Sequence, residues 1–154
     1  VMRTDPSYLR TAFDDQVKTY RDWGVALGRR FRALKLWSLI RTHGTERLRT
    51  RIRRDLANAR WLAEQVEASP QWRLLAPMQL QTLCIRHEPD GVTGDALDTH
   101  TLQWLQRVHD TGRAWLTPAQ LDARWMVRVS IGSLTTEREH VVALWQLLQE
   151  SATA

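Results

Sequence analysis

The sequence predicts an α+β fold: an antiparallel sheet of about four strands with helices on one face, preceded by a loop and a connecting helix. Three observations carry this. Apolar residues keep helical spacing over residues 31–68. After Ser69-Pro70 the period changes to short apolar-rich runs, one of which alternates cleanly. Two further helical patterns are interleaved with those runs, giving the order helix, helix, strand, strand, helix, strand, strand, helix.

Residues 1–26 are mixed and polar, broken by Asp5-Pro6 and Asp14-Asp15, and read as a loop and connector. Phe31, Leu34, Trp37, Ser38 and Ile40 follow helical spacing towards His43, and Gly44 is a stop. Thr45 can cap a second helix, with Glu46 in its favourable first turn. Leu48, Ile52, Leu56, Ala59, Leu62, Ala63 and Val66 form one stripe of that helix to about Ala68. Ser69-Pro70 ends it, because the residue before proline is driven out of the helical region.

"WRLLAPM" and "QTLCIRHE" read as strands, with His87 as a loop residue at the end of the second. "EPDGVTGD", residues 88–95, is a loop. Asp98 to Gly112 reads as a helix supported by Leu97, Leu102, Leu105 and Val108. "AWLTPAQ" is a short strand, and Pro118 suits an edge because it cannot donate to a ladder. In "RWMVRVSIG", Trp125, Val127, Val129 and Ile131 share one face, and Met126, Arg128 and Ser130 the other. The last helix is capped near Thr135 or Thr136 and buries Val141, Val142, Leu144, Trp145 and Leu148.

Composition narrows the function classes. With 154 residues, 43% hydrophobic and 25% charged, the chain is long enough and apolar enough for a real core. The balance of 22 Lys+Arg against 17 Asp+Glu makes polyanion binding worth weighing. Arg49, Arg51, Arg53 and Arg54 spread around a helix, with Glu46 and Asp55 near enough to neutralise part of their field. A solvated helix face accounts for them better than a nucleic-acid surface does. "GRRFR" at 28–32 is denser. The single Cys84 suits a reducing, cytoplasmic setting. No apolar run nears the roughly 20 residues of a membrane span, and no signal-peptide pattern opens the chain. His43, His87, His100, His109 and His140 lack metal-ligand spacing, so no metal site is expected. Neither a Gly-rich phosphate loop nor a Ser/His/Asp pattern is present. Trp37, Trp61, Trp104, Trp125 and Trp145 fall on apolar periods as core or interface anchors.

"LGRRFRALKLW", residues 27–37, resembles the stretch joining the large and small domains of pyridoxal-phosphate-dependent decarboxylases of the aromatic-L-amino-acid (DOPA) decarboxylase family. "DPSYLR" at 5–10 is similar to that family's mobile catalytic loop, and "YRDW" at 20–23 to the segment after it. "LCIRHEPDG" is similar to its small-domain strand and loop, and "WMVRVSIGSLTTEREHV" to its last strand and helix. The stretch between Tyr8 and Arg21 is slightly shorter than in the animal enzymes, which bears on the reach of the loop.

The resemblance implies the C-terminal segment of a fold-type I enzyme. Residues 1–26 would be the catalytic-loop segment and connector, 27–44 an interdomain helix, and 45–154 the small C-terminal α+β domain. The implied activity is decarboxylation of an L-amino acid, aromatic by resemblance, to its amine and carbon dioxide, in a cytoplasmic homodimer using pyridoxal 5'-phosphate. Tyr8 would protonate the substrate α-carbon, Arg128 would lie near the substrate carboxylate, and Arg21 would anchor the loop. Arg29, Arg30 and Arg32 would be interdomain contacts. Lys18 and Lys35 match neither the position nor the context of the family's cofactor lysine, so that lysine is expected in a large domain outside this chain, and the chain alone is expected to be inactive. Two alternatives stand beside this: a basic α+β nucleic-acid-binding module, and an interaction domain of a degenerate decarboxylase.

Overall fold

The computed structural model describes residues 31–153, and the chain divides into two compact units, Val1–Thr42 and His43–Ala154. Helix α1 (Arg32–Ala68) crosses this division and is interrupted at Gly44, whose φ of 71° and ψ of 158° are not helical. Only glycine takes a positive φ at little cost, so the expected stop is a true break in the helix. In the first unit, Phe31, Leu34, Leu36, Trp37, Leu39 and Ile40 are all exposed. Trp37, expected as a core or interface anchor, is 59% exposed, with the Arg41 guanidinium 5.8 Å from its ring. The apolar period there marks a face that stays exposed among the described residues.

The second unit continues α1 and adds β1 (Trp72–Leu74), β2 (Thr82–His87), α2 (Gly94–Asp110), β3 (Thr117–Leu121), β4 (Arg124–Ser130) and α3 (Arg138–Thr153). The four strands form one antiparallel sheet in the order β1-β2-β4-β3. Pro118 lies on β3, at the sheet edge as expected. Ala59, Leu62, Ala63 and Val66 of α1, Trp104, Leu105 and Val108 of α2, and Val141, Trp145 and Leu148 of α3 close over Leu83, Ile85, Val127 and Val129. The helices therefore cover one face of the sheet. Trp72 joins this core too, edge-on to Trp104 and Trp145 with ring centroids 5.6 and 5.0 Å away.

Several local readings are corrected. The stripe of α1 shifts just past its midpoint: Ile52 is exposed, while Asp55 and Asn58 are buried. The neighbouring arginines explain this. Arg51 donates to the Gly132 carbonyl at 2.7 Å, Arg54 pairs with Glu137, and both guanidinium groups stand within 4 Å of the Asp55 carboxylate, at 3.8 and 3.7 Å. Two of the four arginines of "RTRIRR" thus tie α1 to the loop after β4, and Arg49 pairs with Glu46. Helix α2 starts at Gly94, four residues before Asp98, with Asp95 favourably placed in its first turn. Helix α3 starts at Arg138, beyond Thr135 and Thr136; the Glu137 N–H donates to His140 Nδ1 at 2.9 Å, a side-chain cap one turn inside the helix. Met126 is buried despite lying on the Arg128 side of β4.

Candidate functional site

The face of the sheet opposite the core is the chemically distinctive surface. Strand alternation places Arg73 of β1, Cys84 and Arg86 of β2, and Arg128 of β4 on it, with Arg73 opposite Arg86 and Cys84 opposite Arg128. Guanidinium groups on a flat face suit carboxylate recognition, because their planar donors match two oxygens at once. Two of the three are already engaged. Arg86 Nε donates to Glu88 Oε1 at 2.8 Å, and Arg73 Nε lies 3.8 Å from Glu88 Oε2. Arg128 is exposed on an inner strand, between Cys84 and Thr117, and makes no ion pair among the described residues. Asp122 sits in the β3–β4 turn and is not paired with it.

The other residues singled out by sequence are placed as follows. Arg32 opens α1 and is exposed. Tyr8, Arg21, Arg29 and Arg30 lie outside the described residues. Among the described residues, no group of three or more His, Cys, Asp and Glu is arranged to hold a metal ion. No helix among them is long and apolar enough to cross a membrane.

Sequence reasoning misplaced His87. It is the last residue of β2, on the core side, 3% exposed. Its Nδ1 lies 2.9 Å from Nε2 of His100 on α2, and its ring packs 5.0 Å from Trp72. The signal that could have found it is the alternation Leu83, Ile85, His87. A groove of about 450 Å³ lies on the helix side as well, lined by Trp115, Leu116, Val129, Ile131, Val141 and Leu144 among others. It is largely apolar and does not reach Arg128.

An α+β unit with one helix-covered face and one arginine-bearing face defines a domain class rather than an activity. Comparison with known proteins supplies the family. The sequence profile of the pyridoxal-dependent decarboxylase conserved domain matches residues 1–88. A tryptophan decarboxylase of Camptotheca acuminata is 33% identical over 159 residues, covering 99% of this chain and 31% of that protein. The crystal structure of Catharanthus roseus tryptophan decarboxylase in complex with L-tryptophan superposes with a TM-score of 0.74 at 31% identity, over 87% of this chain and 29% of that one. Rhodiola rosea 4-hydroxyphenylacetaldehyde synthase does so with a TM-score of 0.75 at 32% identity, over 92% and 30%. The chain belongs to the pyridoxal-dependent decarboxylase family. It spans about 31% of the length of the curated relatives it matches.

Pyridoxal phosphate needs a lysine to carry it, an acid for its ring nitrogen and a cradle for its phosphate. The described residues do not provide this set. Lys35 is exposed on α1 and makes no ion pair among them.

Proposed function

We propose that this chain is the C-terminal portion of a pyridoxal-phosphate-dependent carboxy-lyase that converts an aromatic L-amino acid to its amine and carbon dioxide. The observation that carries the reading is the match of nearly the whole chain to tryptophan and tyrosine decarboxylases, at 33–34% identity. In this reading, 1–26 is the catalytic-loop segment, 27–44 the interdomain helix and 45–154 the small domain. The lysine that carries the cofactor belongs to the rest of the intact protein, a cytoplasmic homodimer.

The roles of this chain's residues follow from their chemistry. Tyr8 supplies a proton to the substrate α-carbon; a phenol, with a reference pKa of about 10, holds its proton at neutral pH yet can release it to a basic carbon. Closure of its loop keeps water from competing as a proton source. Arg128 is supported by its exposure on an inner strand and its lack of an ion-pair partner among the described residues; it lies near the substrate carboxylate. Arg21 holds the closed loop, and Arg29, Arg30 and Arg32 hold the domain junction through multiple hydrogen bonds. The intact protein, supplied with cofactor and L-tryptophan or L-tyrosine, should release amine and carbon dioxide in equal amounts. Consumption of neither would reject the reading.

A further inference from the structure

The pair formed by buried His87 and half-buried His100 is used by none of this. His87 ends β2 and His100 lies in the first half of α2, so their contact joins one end of the sheet to a helix. The joint is extended by rings: Trp72 packs on His87 and also touches Trp104 of α2 and Trp145 of α3. Arg107, a later residue of α2, donates from Nε to the Ser151 carbonyl of α3 at 2.7 Å. Sheet end, α2 and the last turn of α3 therefore meet around these two imidazoles. The geometry points to a pH-sensitive latch: the His87–His100 hydrogen bond closes this joint while both rings are neutral, and protonation loosens it.

Hydrogen-bond accounting supports this. A nitrogen-to-nitrogen bond needs one ring to donate and the other to accept. A first added proton can sit on an outward nitrogen and leave the bond intact, but it creates a charge in a site partly withdrawn from water. A second makes both facing nitrogens donors and breaks the bond. Among the described residues, the surroundings offer no compensating anion. Beside His87, β1 contributes the neutral Trp72. On β2 and just after it, Arg86 and Glu88 are paired with each other, Arg86 being directed to the opposite face. From α2 comes the cation Arg107, and from α3 the neutral Trp145 and the Ser151 carbonyl already taken by Arg107. Burial, and then the neighbouring His100, hold His87 below the ordinary histidine range; burial, and then Arg107, do the same to His100.

The sign follows. The unfolded chain takes up protons at the ordinary histidine value of about 6.5, before the folded chain does. The joint is at full strength above that value. It weakens as pH falls through it, until the folded pair is also protonated.

The test is urea unfolding of the full chain at pH 8 and pH 5.5, wild type against the double variant His87→Leu/His100→Gln. Carboxylate effects are common to both proteins and cancel in the comparison. Wild type should lose several-fold more of its folding equilibrium constant on acidification than the variant. Imidazole proton NMR on the wild type gives a second readout that needs no variant to fold: two histidines, assigned by their contact with each other and with the Trp72 ring, should titrate below about 6.5. Equal acid sensitivity of the two proteins, or ordinary titration of both rings, would overturn the latch.

Discussion

Arg128 illustrates what a single residue reveals. A charge between Val127 and Val129 stands out in the sequence, but an ordinary solvent-facing arginine would look the same. The structure adds that it lies on an inner strand, outside the arginine–glutamate cluster of Arg73, Arg86 and Glu88. Replacing an exposed residue costs little stability, so Arg128→Ala should unfold within about 0.5 kcal/mol of wild type. If it contacts the substrate carboxylate, a charged hydrogen bond of about 1.5–3 kcal/mol is lost, and kcat/KM of the intact enzyme should drop roughly tenfold to a hundredfold. Unchanged kcat/KM would remove Arg128 from the site. Tyr8→Phe makes the complementary cut. It keeps the ring but removes the proton, so turnover should fall about a hundredfold or more while substrate affinity is held, and carbonyl by-products should rise. Turnover within a few-fold of wild type, with clean amine, would leave Tyr8 a packing residue. His87 was misread because a histidine at the end of a strand beside "EPDG" looks like part of the turn. Only burial against Trp72 and His100 shows that the alternation includes it.

At the scale of elements, much was legible because burial obeys period. Leu83, Ile85, Val127 and Val129 alternate onto the core, and α3 buries Val141, Trp145 and Leu148 as its spacing requires. Element ends were less legible, since they are set by contacts between distant residues. The stripe of α1 over residues 52–58 is displaced by Arg51 and Arg54 reaching residues 132–137, which no local pattern encodes. The β3–β4 hairpin offers a sharp test. Leu121 pairs with Arg124, leaving Asp122 and Ala123 as a two-residue turn with φ values of 50° and 61°. Both positive values mark the twist-matched turn that favours Asp-Gly over Asp-Ala. Ala123→Gly should therefore raise stability by about 1 kcal/mol, seen as a higher urea midpoint at unchanged slope. A lower midpoint would show that the turn is not strained. Leu62, fully buried beneath the sheet, gives the opposite case: Leu62→Ala should cost about 2–5 kcal/mol.

At the scale of the whole molecule, the sequence carried its family in motifs distributed along nearly all its length, while neither of its two lysines matches the context of the family's cofactor lysine. In the helix at 32–42, Leu34, Trp37 and Ile40 are spaced for burial yet exposed. The chain on its own should not acquire a stable pyridoxal-phosphate absorbance after dialysis, because neither Lys18 nor Lys35 stands in the sequence context of the family's cofactor lysine. A borohydride-fixed adduct on either would contradict that. The most direct measurement of the central claim is the reaction of the intact, cofactor-loaded protein with an aromatic L-amino acid in heavy water, following carbon dioxide and the deuterium content of the product. The account predicts amine formed in step with carbon dioxide, each molecule carrying a single solvent-derived deuterium at the α-carbon. Deuterium exchange into unchanged amino acid without loss of carbon dioxide would contradict it.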